Sequence, residues 1–228
     1  MQGKGAFFYL LTSLLFVLLA YPVFEKVPWS GKMLALLFSG ILVAGAYVTS
    51  RESRIRFIIS ISLAVPTVLF LWTDQLTPQK SSWSFFLDVI SYSFMVAFTF
   101  YTAVCVLLHL MKARKVTADI LAGAACAYFL LGLSWTMLYL LLDLVQPGSF
   151  IFAEHFAQIS PNKWSVFNYY SFVTLTTLGY GEITPVTSRA QSFAILEAVT
   201  GVLFTALLIS RLVGMYLYQL KEGNSVKE

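Results

Sequence analysis

The sequence predicts an all-α membrane protein with six transmembrane helices and one re-entrant helix. Three observations carry that prediction. The chain has 228 residues, of which 58% are hydrophobic and only 11% charged, and its mean hydropathy is +0.77. A soluble domain of this size rarely carries so few charges. The apolar residues come in unbroken blocks, several of them matching the roughly 20 residues needed to cross a bilayer core of about 30 Å. One apolar run, 164–176, is too short to cross and lies in a segment, 144–187, too long for a simple hairpin.

Taken in order, the first block runs from Ala6 to Phe24 behind Lys4. A cleaved secretory core is about 7–15 residues, so this longer run is read as a mature helix. The next spans are expected at 33–50, 55–73, 83–111, 118–143 and 188–219. Pro66 falls inside the third and is expected to kink it. Asp88, in the fourth, and Asp143, at the end of the fifth, are expected to pair with a hydroxyl or a basic neighbour. The run 164–176 reads as a re-entrant half-helix, which survives at membrane depth only when other protein surrounds it. Its aromatic residues Trp164, Tyr169 and Tyr170 are expected either at the headgroup level or packed on neighbouring helices. No internal repeat is visible, and the chain past Leu220 reads as a short polar tail.

Charge sets the expected orientation. Lys4, Arg51, Arg54, Arg56, Lys112, Arg114, Lys115, Arg211, Lys221 and Lys227 fall on one side of a six-span topology. Lys26, Lys32, Lys80, Lys163 and Arg189 fall on the other. The richer side is expected to be cytoplasmic, which puts both termini there and the 144–187 segment outside. The formal net charge of +4 forms no nucleic-acid patch. Cys105 and Cys126 lie inside apolar blocks and read as small buried hydrophobes. His109 and His155 fall on opposite faces, so a shared metal site is not expected.

The distinctive segment is Tyr-Tyr-Ser-Phe-Val-Thr-Leu-Thr-Thr-Leu-Gly-Tyr-Gly-Glu-Ile-Thr-Pro, from Tyr169 to Pro185. A ring of oxygens can replace the hydration shell of a potassium ion. Backbone carbonyls form such a ring if successive residues turn them to one side, through angles that glycine reaches cheaply. Gly179 and Gly181 supply two such positions, and Thr177 adds a hydroxyl. Tyr180 is expected to point away from the ions and brace the strand. Thr174 and Thr176 lead in as supports. One chain makes one wall, so four copies are needed.

On these residues, the region 118–219 resembles the pore domain of the potassium channel superfamily: outer helix, pore helix, selectivity filter, inner helix. The resemblance implies a homotetramer in which the carbonyls of Thr177, Leu178, Gly179 and Tyr180, with the Thr177 hydroxyl, coordinate potassium, and Gly181 completes the filter. Two positions depart from the family's habit. Leu178 stands where valine or isoleucine is common, and Glu182 where aspartate is usual. Val173 offers Glu182 no acidic partner. The resemblance also implies that Gly201 is a hinge of the inner helix; close packing is the competing reading. Val202, Thr205 and Ile209 share one helical face, and the resemblance places it on a water-filled cavity. Glu197, one turn before Gly201, is expected behind the filter, bonded to Tyr170 or Thr174. Arg211, near the cytoplasmic end of the inner helix, is expected to anchor it by snorkelling.

The expected division is thus 1–117, a four-helix domain laid out like a voltage sensor; 118–220, the pore domain; and 221–228, a cytoplasmic tail. Sensing voltage needs charge that crosses the field, worth about 2.3 kcal/mol per unit charge per 100 mV. The fourth helix has no arginine or lysine before Lys112, so little voltage dependence is expected. The expected function is passive potassium conduction, with no enzyme activity and no cofactor besides the permeant ion. A weakly selective cation channel and a non-conducting accessory subunit are the alternatives. Membrane lipids and a regulatory subunit are the remaining partner classes, and the resemblance points to a bacterial plasma membrane.

Overall fold

The computed structural model describes residues 6–24, 27, 29–50, 54–76, 84–113, 115–153 and 163–225. His155 and several of the cationic residues counted above, Lys4 and Lys26 among them, lie outside these. The described elements are α1 (Ala6–Phe24), α2 (Ser30–Ser50), α3 (Arg54–Leu76), α4 (Ser84–Lys112), α5 (Ala118–Val145), β1 (Phe150–Phe152), α6 (Lys163–Leu175), β2 (Ile183–Pro185) and α7 (Ser188–Ser225). Five helices are long and apolar enough to cross a membrane, over Ser30–Thr49, Arg54–Trp72, Phe85–Lys112, Ala118–Val145 and Ser188–Gln219. The first helix contributes a shorter apolar stretch, Phe7–Leu19. The chain is a multi-pass membrane protein, and its described elements are helical apart from one small two-stranded sheet.

One expectation needs correction, and one element is new. The helix through Leu220 does not stop there: α7 continues to Ser225, so the polar tail is mostly its last turn. The segment after α5 is not plain loop. Its residues Phe150–Phe152 pair antiparallel with Ile183–Pro185, in the register Phe150 to Pro185, Ile151 to Thr184 and Phe152 to Ile183.

Helices α1 and α4 pack against α5 of their own chain, and α2 and α3 pack on α1 and α4. Phe7 of α1 and Leu110 of α4 close on Gly123, where an added Cβ would lie 3.2 Å from each side chain. The Cys126 thiol donates to the Phe7 carbonyl at 3.3 Å. Both cysteines are buried and free, as expected. The turn from α4 into α5 is short, and Thr117 caps α5 by accepting from the Ile120 N–H, satisfying one of the helix's orphan donors.

Candidate pore site: a short helix wedged between two long helices

At 13 residues, α6 is about 20 Å long and cannot cross the bilayer alone. It is held between α5 and α7 at three levels. At its start, Lys163 reaches the carboxylate of Asp143 at the end of α5 at 2.6 Å. This supplies the basic partner expected for Asp143, which is buried. Mid-helix, the Ser171 hydroxyl lies 2.5 Å from Oε1 of Glu197 and 2.8 Å from the Gly132 carbonyl. The Tyr139 hydroxyl of α5 donates to Oε2 of the same Glu197 at 2.6 Å. Glu197 and Ser171 have no exposed surface, and neither does Tyr139. At its end, the Leu175 carbonyl accepts from the Tyr128 hydroxyl at 3.4 Å and presses on Gly201. A Cβ on Gly201 would sit 2.0 Å from that oxygen.

These contacts revise two expectations. Glu197 does bond the pore helix, but its partners are Ser171 and Tyr139, in place of Tyr170 or Thr174. The reason is rotational: adjacent residues on a helix point about 100° apart, and Ser171 is the one aimed at α7. Gly201 stands at a close approach of backbone to backbone, which favours the packing reading. The buried side of α7 passes through Ala190, Glu197, Gly201, Phe204 and Met215, at helical spacing. Val202, Thr205 and Ile209 lie off that side and are exposed in the single chain.

The end of α6 forms the candidate filter. The Leu178 N–H bonds the Val173 carbonyl and the Thr177 N–H bonds the Thr174 carbonyl, each at 2.9 Å. That nested pair terminates helices through one left-handed residue, and here the left-handed residue is Thr177, with φ 60°. Gly179 and Gly181 follow at φ 56° and 92°. Left-handed backbone therefore recurs at every second residue, 177, 179 and 181. A β-branched residue at positive φ is strained, and Thr177 is the one non-glycine case among the described residues. Strain of this kind concentrates at functional sites.

Residues Thr176 to Gly181 are all exposed in the isolated chain. Tyr180, 63% exposed, is not braced by its own subunit. The Thr176 hydroxyl turns back to the Phe172 carbonyl at 2.6 Å, so it supports the end of the pore helix. Glu182 accepts from the Tyr169 hydroxyl at 3.3 Å. A tyrosine thus fills the place where no acidic partner was found. Burial, and next the Glu182 carboxylate, push the Tyr169 phenol above its ordinary range, which keeps it a donor. Trp164 and Tyr170 are buried, Trp164 edge-on to Phe38 of α2 at 5.9 Å; packing claims both.

Residues 126–218 match the family model described as an ion channel. Over that stretch the chain is similar to an ion-channel domain. The match starts inside α5 and ends inside α7, so it takes in α6, the glycine-rich strand and the hydrogen bonds of Glu197. No curated protein and no solved structure matches the chain.

Arg211 plays a part that was not foreseen. Its guanidinium donates to the Met111 and Ala113 carbonyls at 2.8 and 3.0 Å. It ties the far part of α7 to the end of α4, where unsatisfied carbonyls and the negative end of the helix dipole attract a cation.

Proposed function

We propose that the chain is one subunit of a homotetrameric, potassium-selective channel whose filter is Thr177, Leu178, Gly179, Tyr180 and Gly181. The observation that carries this reading is the alternation of left-handed residues at 177, 179 and 181. A strand that alternates hand turns its successive carbonyls to one side, which is the arrangement needed to replace a cation's water shell. The carbonyl end of α6 abuts the strand, and the partial negative charge there favours a cation. The strand's exposure in a single chain fits a wall that three further copies complete.

In this reading α1 is the sixth span, α6 is the re-entrant pore helix, and Val202, Thr205 and Ile209 face the cavity or a neighbouring subunit. Both termini are cytoplasmic, in a bacterial plasma membrane. Residues 1–117 serve as a scaffold with little voltage dependence, 118–220 conduct, and 221–225 extend the inner helix. Leu178 contributes its carbonyl, so its side chain leaves selectivity intact. No catalysis is assigned.

The test is ion flux from the purified protein in liposomes. Potassium flux blocked by barium, with a reversal potential that follows the potassium gradient in mixed sodium and potassium, is the expected result. A reversal potential near zero in such mixtures would identify a weakly selective channel. Absence of flux from assembled protein would identify an accessory subunit.

A further inference from the structure

The strand that follows the filter does not stand alone. Its partner β1 presents Phe150 inward and Ile151 outward, 4% and 59% exposed. Phe150 lies edge-on to Phe167 and Tyr170 of the pore helix, with ring centroids 5.0 and 5.4 Å away, and to Tyr139 of α5 at 5.6 Å. Edge-to-face pairs at these separations are the favoured aromatic geometry. Across the strands, the Ala153 N–H donates to the Glu182 carbonyl at 2.8 Å and the Val186 N–H to the Ser149 carbonyl at 2.9 Å. Antiparallel pairs alternate between bonded and non-bonded. Pro185, opposite Phe150, falls at a non-bonded pair, where its missing N–H costs nothing.

The strand 177–181 therefore has two differently built ends. Its inner end is tied to α6 by the bonds of Thr177 and Leu178. Among the described residues, Gly179, Tyr180 and Gly181 donate no backbone hydrogen bond within the chain. The next ties are at Glu182: its side chain accepts from Tyr169 at 3.3 Å, and its backbone carbonyl accepts from Ala153 at the shorter 2.8 Å. We infer that β1 is the positioning element for the outer end of the filter: Phe150 fixes it to the aromatic core of α5 and α6, and the Ala153 N–H passes that position to Glu182. Neither residue touches an ion; both act through Glu182 and Gly181. The inference rests on the filter reading above, and the experiment separates the two.

The full chain is reconstituted as wild type, Phe150→Ala, Phe150→Leu, Ala153→Pro and Ile151→Ala. The readouts are the mixed-ion reversal potential and the rate at which conductance is lost when external potassium is withdrawn. Phe150→Ala loses three aromatic contacts and is expected to lose conductance at least about tenfold faster in low potassium, the rate factor of a single such contact at the upper end of its range, and to be rescued by raised potassium, whose occupancy holds the strand open. Phe150→Leu should recover part of that stability, and Ile151→Ala should match wild type. Ala153→Pro deletes a single N–H after an extended residue, a position proline tolerates. It carries the same expectation if Phe150→Ala does not assemble. Wild type without potassium selectivity overturns the filter reading and the inference with it. Selective wild type with Phe150→Ala or Ala153→Pro assembled and unchanged in low potassium overturns the inference alone, as does an Ile151→Ala effect of equal size.

Discussion

The two halves of this molecule spend their polar groups differently. In α2, α3 and α4, hydroxyls turn back on their own helices: Ser39 to Ala35, Thr67 to Leu63, Thr99 to Met95 and Thr102 to Phe98, at 2.7–2.8 Å. Cross-helix bonds there include Trp72 to Ser39 at 3.4 Å and Tyr101 to the Arg56 carbonyl at 3.2 Å. The unit of α5, α6 and α7 has intrahelical hydroxyl bonds too, Ser134 to Leu130, Thr176 to Phe172 and Thr200 to Leu196, but adds short bonds between helices, through Lys163–Asp143, Tyr139–Glu197 and Ser171–Glu197. An intrahelical hydroxyl bond satisfies a polar group without fixing any neighbour. A cross-helix bond in an apolar medium fixes both partners. The half that begins at α5 thus joins three helices through buried short bonds that fix both partners.

Steric replacement of the two kinds of glycine should show the largest contrast. Gly201→Ala drives a methyl group into the Leu175 carbonyl, backbone against backbone, with no flexible side chain to move aside. The expected loss is at least about 3 kcal/mol, at the top of the overpacking range, with conductance abolished or sharply reduced. Gly40→Ala in α2 meets nothing within 4 Å in the chain and should stabilise by roughly 0.5–1 kcal/mol through helix propensity. Thermal unfolding of the two purified variants against wild type measures both. A tolerated Gly201→Ala would show that α6 and α7 can part there, and would restore the hinge reading.

Next in size is the carboxyl that joins three helices. Glu197→Ala takes the partner of the buried Tyr139 hydroxyl and one of two acceptors near Ser171, which keeps the Gly132 carbonyl. Leaving the Tyr139 hydroxyl unsatisfied costs about 1–3 kcal/mol, and roughly 2–3 kcal/mol is expected with the packing lost. Glu197→Gln keeps the shape and one acceptor for Tyr139 and should lose less than about 1.5 kcal/mol. Unfolding midpoints give the stabilities, and flux in liposomes reports whether the filter follows. If the glutamine variant loses as much as the alanine variant, the acidic group itself is what the site needs.

Much of this was legible in the sequence. The boundaries of α1 and the starts of α5 and α7 were found at Ala6, Ala118 and Ser188, because apolar block length dominates in a membrane protein. The strand 177–181 stood out because two glycines alternate there. Its third left-handed residue did not, since threonine's propensity argues against positive φ and only the helix-ending bonds to Val173 and Thr174 impose it. Strand β1 was invisible for a similar reason: three apolar residues have no periodicity to read, and their partner lies beyond the pore helix. The partners of Glu197 depended on the rotation of α6 about its axis, and its own sequence carries no strong apolar face to set that angle.

The smallest expected effect isolates the comparison in one atom. Thr102→Val and Ser171→Ala each delete a single buried hydroxyl, one from α4 and one from α6. The Thr102 oxygen bonds only the Phe98 carbonyl of its own helix, and valine keeps the methyl group that packs near Gly45. The Phe98 carbonyl retains its helical partner, so stability should stay within about 0.5 kcal/mol of wild type. The Ser171 oxygen bridges Glu197 and Gly132, and its loss leaves a carboxyl oxygen with one partner fewer at a buried position; about 1–2 kcal/mol is expected. Potassium flux should be unchanged in Thr102→Val and reduced in Ser171→Ala. Equal effects of the two substitutions would mean that the direction of a hydroxyl's bond, along a helix or across to another, does not decide its contribution here.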